Sequence, residues 1–128
     1  MAMIFNHDER VAMAQMTMDA LDHWKVEPGD QLALLGLTGR MKARALVRFR
    51  QGDALPDEED LLTRASHLIR IGEALHTSFP HNAAMAGYWI TTPNRNFNNS
   101  TPLQVMLNNG IDGIRQVHGA LDCTQMWI

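Results

Sequence analysis

Five cations fall within an eleven-residue stretch of this sequence: Arg40, Lys42, Arg44, Arg48 and Arg50, with no acid among them. Guanidinium and ammonium groups at that density neutralise phosphates, and Arg also reads guanine edges in the major groove of a duplex. Arg40, Arg44 and Arg48 lie at i, i+4 and i+8, beside Met41, Ala45 and Phe49 at the same spacing. On a helix this predicts one packed face next to a guanidinium ladder. A short helix, a Gly-bearing turn and a cationic second helix form the pattern of a helix-turn-helix that contacts DNA. The competing reading is a solvated cationic face on a bundle helix. The chain as a whole has a net charge of −3. Residues 1–39 and 51–80 are each net acidic, so the cations are one local anion-facing segment and not a general basic coat. Two copies presenting such helices, a homodimer, would be needed to hold a duplex.

Other constellations exclude chemistry. Asp53 and the run Asp57-Glu58-Glu59-Asp60 lack the glycine and ligand spacing of a calcium loop, and read as the charged start of a helix. His7, His23, His67, His76, His81 and His118 are scattered, none makes a zinc spacing with Cys123, and each reads as a surface or half-buried side chain. Cys123 with His118 lacks an orienting third group. No Gly-rich phosphate loop follows a strand and no Ser elbow occurs. The expectation is therefore no catalytic residue, no metal, no cofactor and no enzyme activity. A single Cys cannot form an intrachain disulfide and suits a reducing cytoplasm. No apolar run approaches the roughly 18 residues of a membrane span, and MAMIFNHDER has no signal-peptide pattern. A cytoplasmic protein without membrane contact is expected. The apolar tail Met126-Trp127-Ile128 either folds back on its own domain or anchors a partner, since Trp is enriched at interface hot spots.

The elements that would carry these residues are helical. Apolar residues make up 45% and charged residues 20% of the 128, ordinary for a globular domain. Asn6-x-x-Glu9 has capping-box spacing and opens a helix with Val11, Ala14, Met18 and Leu21 on one stripe, ending near Trp24 before Pro28-Gly29. A short helix is expected from Asp30 to Leu35, with Gly36 closing it, and a third from Arg40 to Arg50. A fourth begins after Pro56 and runs to about Thr77. Its buried face should comprise Leu61, Leu62, Ala65, Leu68, Ile69, Gly72 and Leu75. Ala83–Ile90 forms a short helix bearing Tyr88 and Trp89. A polar loop over 94–100 buries Phe97. Thr101-Pro102-Leu103-Gln104 is a helix start with Thr as cap, Pro at the first position and Gln at the third. That helix should stop at Asn108-Asn109-Gly110, and a last one should run from Ile111 to Ala120. No segment alternates with period two, so the fold class is all-α.

Residues 97–127, FNNSTPLQVMLNNGIDGIRQVHGALDCTQMW, resemble the C-terminal toxin-binding domain of the Xre/MbcA/ParS antitoxins. Trp89 with Pro93-Asn94 resembles that family's W-(I/L)-x-x-P-N element. Leu35-Gly36-Leu37, Arg44, Phe49-Arg50, Gly52 and Leu55-Pro56 resemble its helix-turn-helix, and Arg64 with Leu68–Leu75 the long helix behind it. One departure is Leu37-Thr38-Gly39-Arg40, where many relatives have a Ser-rich helix start. The resemblance implies an antitoxin of a type II toxin–antitoxin pair, with residues 1–80 as a helix-turn-helix and dimerisation lobe and 81–128 as the toxin-binding lobe. It implies a partner of the RES type, a toxin that consumes or transfers from NAD and whose active site the antitoxin occludes. Repression of its own operon through operator DNA is implied as well. The toxin contacts would then be Trp89, Thr101, Pro102, Leu103, Met106, Leu107, Met126, Trp127 and Ile128. The alternative is a stand-alone helix-turn-helix repressor without a toxin.

Overall fold

Helix starts follow local capping chemistry. The Asn6 side chain accepts from the Glu9 amide at 2.8 Å and the Glu9 carboxylate accepts from the Asn6 amide at 2.9 Å. Two of the amides that a helix leaves without partners are thereby satisfied. The same reciprocal pair joins Thr101 and Gln104, at 2.9 and 3.0 Å. The computed structural model of the protein describes residues 4–125. Its helices are α1 (His7–His23), α2 (Pro28–Leu35), α3 (Val47–Arg50), α4 (Glu59–Ser78), α5 (Ala84–Ile90) and α6 (Pro102–Gln125), with 3-10 turns at Ala43–Leu46 and Arg95–Phe97. Among the described residues the only strand-like pairing is one isolated antiparallel bridge, Asn94 with Ser100. The architecture is all-α, as expected.

Three boundaries differ from expectation. α2 starts at Pro28, with Glu27 as cap, two residues before the expected Asp30. Proline has no amide to lose at a first helical position, so Pro28 opens α2 as well as closing the segment before it. The expected helix over 40–50 is instead a turn through Arg40, an extended Lys42 (φ −85°, ψ 150°), a 3-10 turn and the four residues of α3. In 3-10 geometry positions three apart eclipse. Leu46 and Phe49 turn inward, while Met41 and Ala45 are only half-buried. Finally, α6 continues past Ala120 to Gln125, with the expected break present as a kink at Gly110 (φ 61°, ψ −138°).

The core is one contiguous apolar cluster, from Met13 on α1 to Leu121 on α6. α4 packs against α1, α2, α5 and α6. It therefore buries a wider arc than one stripe: Leu61, Leu62, Ala65, Leu68, Ile71, Ala74 and Leu75. Ile71 is wholly buried, and the expected Ile69 only packs against the edge of the core. Trp24, 2% exposed at the C-terminal cap of α1, is a large anchor of this cluster. Gly72 of α4 and Gly87 of α5 both lie against it.

Candidate functional site

The cationic segment divides into two populations. Arg40 forms a two-pronged pair with Glu58 at the cap of α4, with one hydrogen bond of 2.9 Å. That pairing holds the Glu58 carboxyl below its ordinary pKa. Arg50 donates to both carboxylate oxygens of Asp22 at 2.7 Å and to the Gln31 side-chain oxygen at 3.1 Å. Buried Gln31 donates in turn to Asp22 at 2.9 Å and to the Val26 carbonyl at 3.1 Å. The Arg50 hydrogen bonds hold the Asp22 carboxyl below the usual carboxylate range against the opposing effect of burial. These two arginines tie the segment to α4, α1 and α2, so the expected Arg40/Arg44/Arg48 ladder does not form. Lys42, Arg44 and Arg48 are exposed and have no ion-pair partner among the described residues.

A second site is built where α5 and α6 meet. The Asn94 side chain accepts from the Asn96 amide at 2.9 Å, and the Asn94–Ser100 bridge closes the loop beneath. Phe97 is thereby held inside, edge-on to Trp89 with ring centroids 6.4 Å apart. Asn98 and Asn99 take left-handed conformations (φ 54° and 65°), which Asn tolerates better than most residues. Asn98, Ser100, Asn108, Asn109 and Gln116 surround a recess of about 320 Å³ with Phe97 and Val105 in its wall. Its polar lining is uncharged, suited to hydrogen bonding with a partner's backbone. The kink at Gly110 folds α6 tightly. A Cβ on Gly113 would stand 2.2 Å from the Val105 carbonyl oxygen. Arg64 of α4 links α2 to the α6 kink: it pairs with Asp60 at 2.8 Å, donates to the Leu34 carbonyl at 3.4 Å and lies beside Gly110.

Two further features lie at helix junctions. His67 of α4 and His118 of α6 face each other Nδ1 to Nδ1 at 2.7 Å, with His118 Nε2 3.3 Å from an Asp122 carboxylate oxygen. Between α1, α4 and α5 runs a groove of about 590 Å³, mostly apolar. Among the described residues no group of three or more His, Cys, Asp and Glu could hold a metal, and no helix is long and apolar enough to cross a membrane.

Residues 74–124, the end of α4 through α6, match the family model described as the antitoxin Xre/MbcA/ParS C-terminal toxin-binding domain. The chain is also 32% identical over 102 residues to a protein of Sinorhizobium fredii (strain NBRC 101917 / NGR234) named "Uncharacterized protein y4oB". That alignment covers 79% of this chain and 74% of the relative. Over residues 74–124 the chain is similar to the Xre/MbcA/ParS antitoxin family. The matched stretch holds the last turn of α4, all of α5 and the loop, and α6 as far as residue 124. Within it, Trp89, Thr101, Leu103 and Leu107 are half-buried, whereas Pro102 and Met106 are buried in the chain's own core. Met126, Trp127 and Ile128 lie outside the described residues. An exposed aromatic of the matched stretch that sequence reasoning did not single out as a contact is Tyr88, 62% exposed. Its signal was there to read: Ala86 and Ile90 face inward, which turns position 88 toward solvent on a helix.

Proposed function

We propose that this chain is the antitoxin of a two-component pair, that its toxin is of the RES type, consuming or transferring from NAD, and that it works by covering the toxin's active-site cleft. The observation that carries the reading is the toxin-binding domain match over 74–124. The exposed features of that stretch support it: Tyr88, the half-buried Trp89, Leu103 and Leu107, and the amide-lined recess beside α6. The apolar tail Met126-Trp127-Ile128 follows α6 directly in sequence and supplies the anchor. Burying one Trp removes about 150–250 Å² from water. At roughly 25 cal/mol per Å² that is about 4–6 kcal/mol before ordering costs. In this proposal the antitoxin is a cytoplasmic homodimer that represses its own operon, with Lys42, Arg44 and Arg48 on phosphates and base edges.

The test is a chain ending at Gln125, mixed with the product of the adjacent reading frame. The truncated chain stays helical and leaves NAD consumption by that product running, while the full chain stops it at equimolar amounts. A folded truncation that silences the product equally well moves occlusion from the tail to the α5–α6 surface. No effect of the full chain on any neighbouring product sinks the antitoxin reading.

A further inference from the structure

The groove between α1, α4 and α5 has an apolar floor continuous with the core, where Trp24 and Leu75 are buried. Its upper walls are also apolar: Met16 on α1, 45% exposed, faces the side of α4 that carries Ile69, and Phe79 closes the end near α5. Scattered exposed apolar side chains are normal, but a concave apolar strip of this length marks a surface that another chain covers. Its charge is one-sided. Asp19 lines it from α1 and Glu73 from α4, both exposed and neither with an ion-pair partner among the described residues. Asp22 on α1 and Asp60 on α4 are by contrast matched, by Arg50 and Arg64. No Lys or Arg lines the groove. Its remaining titratable groups are His23, which is bonded to the Ala83 carbonyl at 2.7 Å, and His76.

We propose that this groove is a second docking site for the toxin, receiving a segment whose apolar side chains fill the strip and whose Lys or Arg side chains meet Asp19 and Glu73. The inference rests on the antitoxin reading above. Two observations select the occupant. The far wall of the groove, Leu75 through Ala86, lies inside the matched toxin-binding domain, so the groove continues that surface around the molecule. A second copy of this chain meeting the groove about a two-fold axis would set Asp19 and Glu73 against the same carboxylates, an unfavourable like-charge contact. A cationic apolar segment satisfies both charge and shape.

The test measures the affinity of the full chain for the product of the adjacent reading frame by titration calorimetry at two salt concentrations. The variants are Asp19→Lys/Glu73→Lys, the milder Asp19→Asn/Glu73→Gln, and Met16→Gln. All three positions are exposed, and circular dichroism melting checks that each variant is folded. If charge reversal unfolds the protein, the neutral pair carries the comparison. The expected result is binding at least tenfold weaker for charge reversal and severalfold weaker for the neutral pair and for Met16→Gln. Added salt should weaken the wild-type complex more than the neutral variant. Unchanged affinity in folded variants overturns the groove and leaves the antitoxin reading intact. Loss of self-association with toxin affinity unchanged assigns the groove to a second copy and likewise overturns it. A wild-type chain that binds no neighbouring product overturns both readings together.

Discussion

The His67–His118 contact joins helices 51 positions apart through two ring nitrogens 2.7 Å from one another. One of the two must donate and the other accept, so the contact survives one added proton but not two. Burial is the main influence pushing the His67 imidazole below its ordinary value. The positive charges of His118, Arg115 and Arg70 push the same way, and Asp122 opposes them. The consequence for stability has a definite sign. Below the unfolded-state value near 6.5 the unfolded chain takes up a proton at His67 that the folded chain refuses. Stability contributed by this site is therefore complete above about pH 6.5 and declines as pH falls toward the lowered folded-state value. His67→Asn keeps a polar atom near the Nδ1 position and cannot be protonated. Urea unfolding at pH 7.5, 6.5 and 5.5 should show a steeper decline for the natural protein than for His67→Asn. Parallel profiles would mean that the pair does not sense protons.

Helix α6 shows how two glycines in one element play opposite parts. Gly110 takes a backbone conformation open in practice only to glycine and turns the helix back. Gly113 then lies against the Val105 carbonyl, where a Cβ would stand 2.2 Å from the oxygen and 2.9 Å from its carbon. Both are backbone atoms, so no side chain can move aside. Overpacking of this kind costs about 1–3 kcal/mol or more, and Gly113→Ala should lower the melting temperature on the order of 5 °C or further. Gly119 sits on the same helix with nothing within 4 Å of its virtual Cβ. Ala there removes backbone freedom from the unfolded chain and is favoured by up to about 1 kcal/mol in a helix, so Gly119→Ala should raise the melting temperature. The pair of opposite shifts, read in one calorimetric series, checks the kink. If Gly113→Ala raises the melting temperature as Gly119→Ala does, Gly113 is not at the close approach.

Taken whole, the molecule carries its candidate contact groups on different elements around one core. The amide recess and Tyr88 lie on the matched stretch, and the cations Lys42, Arg44 and Arg48 lie on the 3-10 turn and α3. Because Arg40 and Arg50 are committed to Glu58 and Asp22, any phosphate binding falls to the other three. Arg44→Ala/Arg48→Ala should weaken binding of the protein to its own promoter fragment. The slope of log affinity against log salt should flatten by about one for each phosphate that the variant no longer neutralises. Fluorescence anisotropy over a salt series measures both. Equal affinity and equal slope in the folded double variant would remove DNA from the account of this surface.

How much of this was legible beforehand divides along the range of the forces. Both capping boxes, Pro102 at a helix start, the left-handed Gly36 after α2 and the break at Gly110 follow from residues within four positions of one another. Hydrogen bonds and steric limits of that reach are written in the spacing itself, which is why the all-α class and most helix starts could be read directly. The interval 40–50 could not. Its i, i+4 pattern suits a helix, but Arg40 pairs 18 positions away and Arg50 pairs 28 positions away, partners that the local spacing does not announce. The burial of Ile71 over Ile69 depends on α4 being covered on several sides, which no single stripe announces. Histidines that look scattered along the chain become a hydrogen-bonded pair only because α6 crosses α4 at that level. The groove has no sequence signature either, since its walls and its two carboxylates, Asp19 and Glu73, come from separate helices. Local chemistry ends after about one helical turn, and everything that depends on which helices meet waits for the packed core to place them.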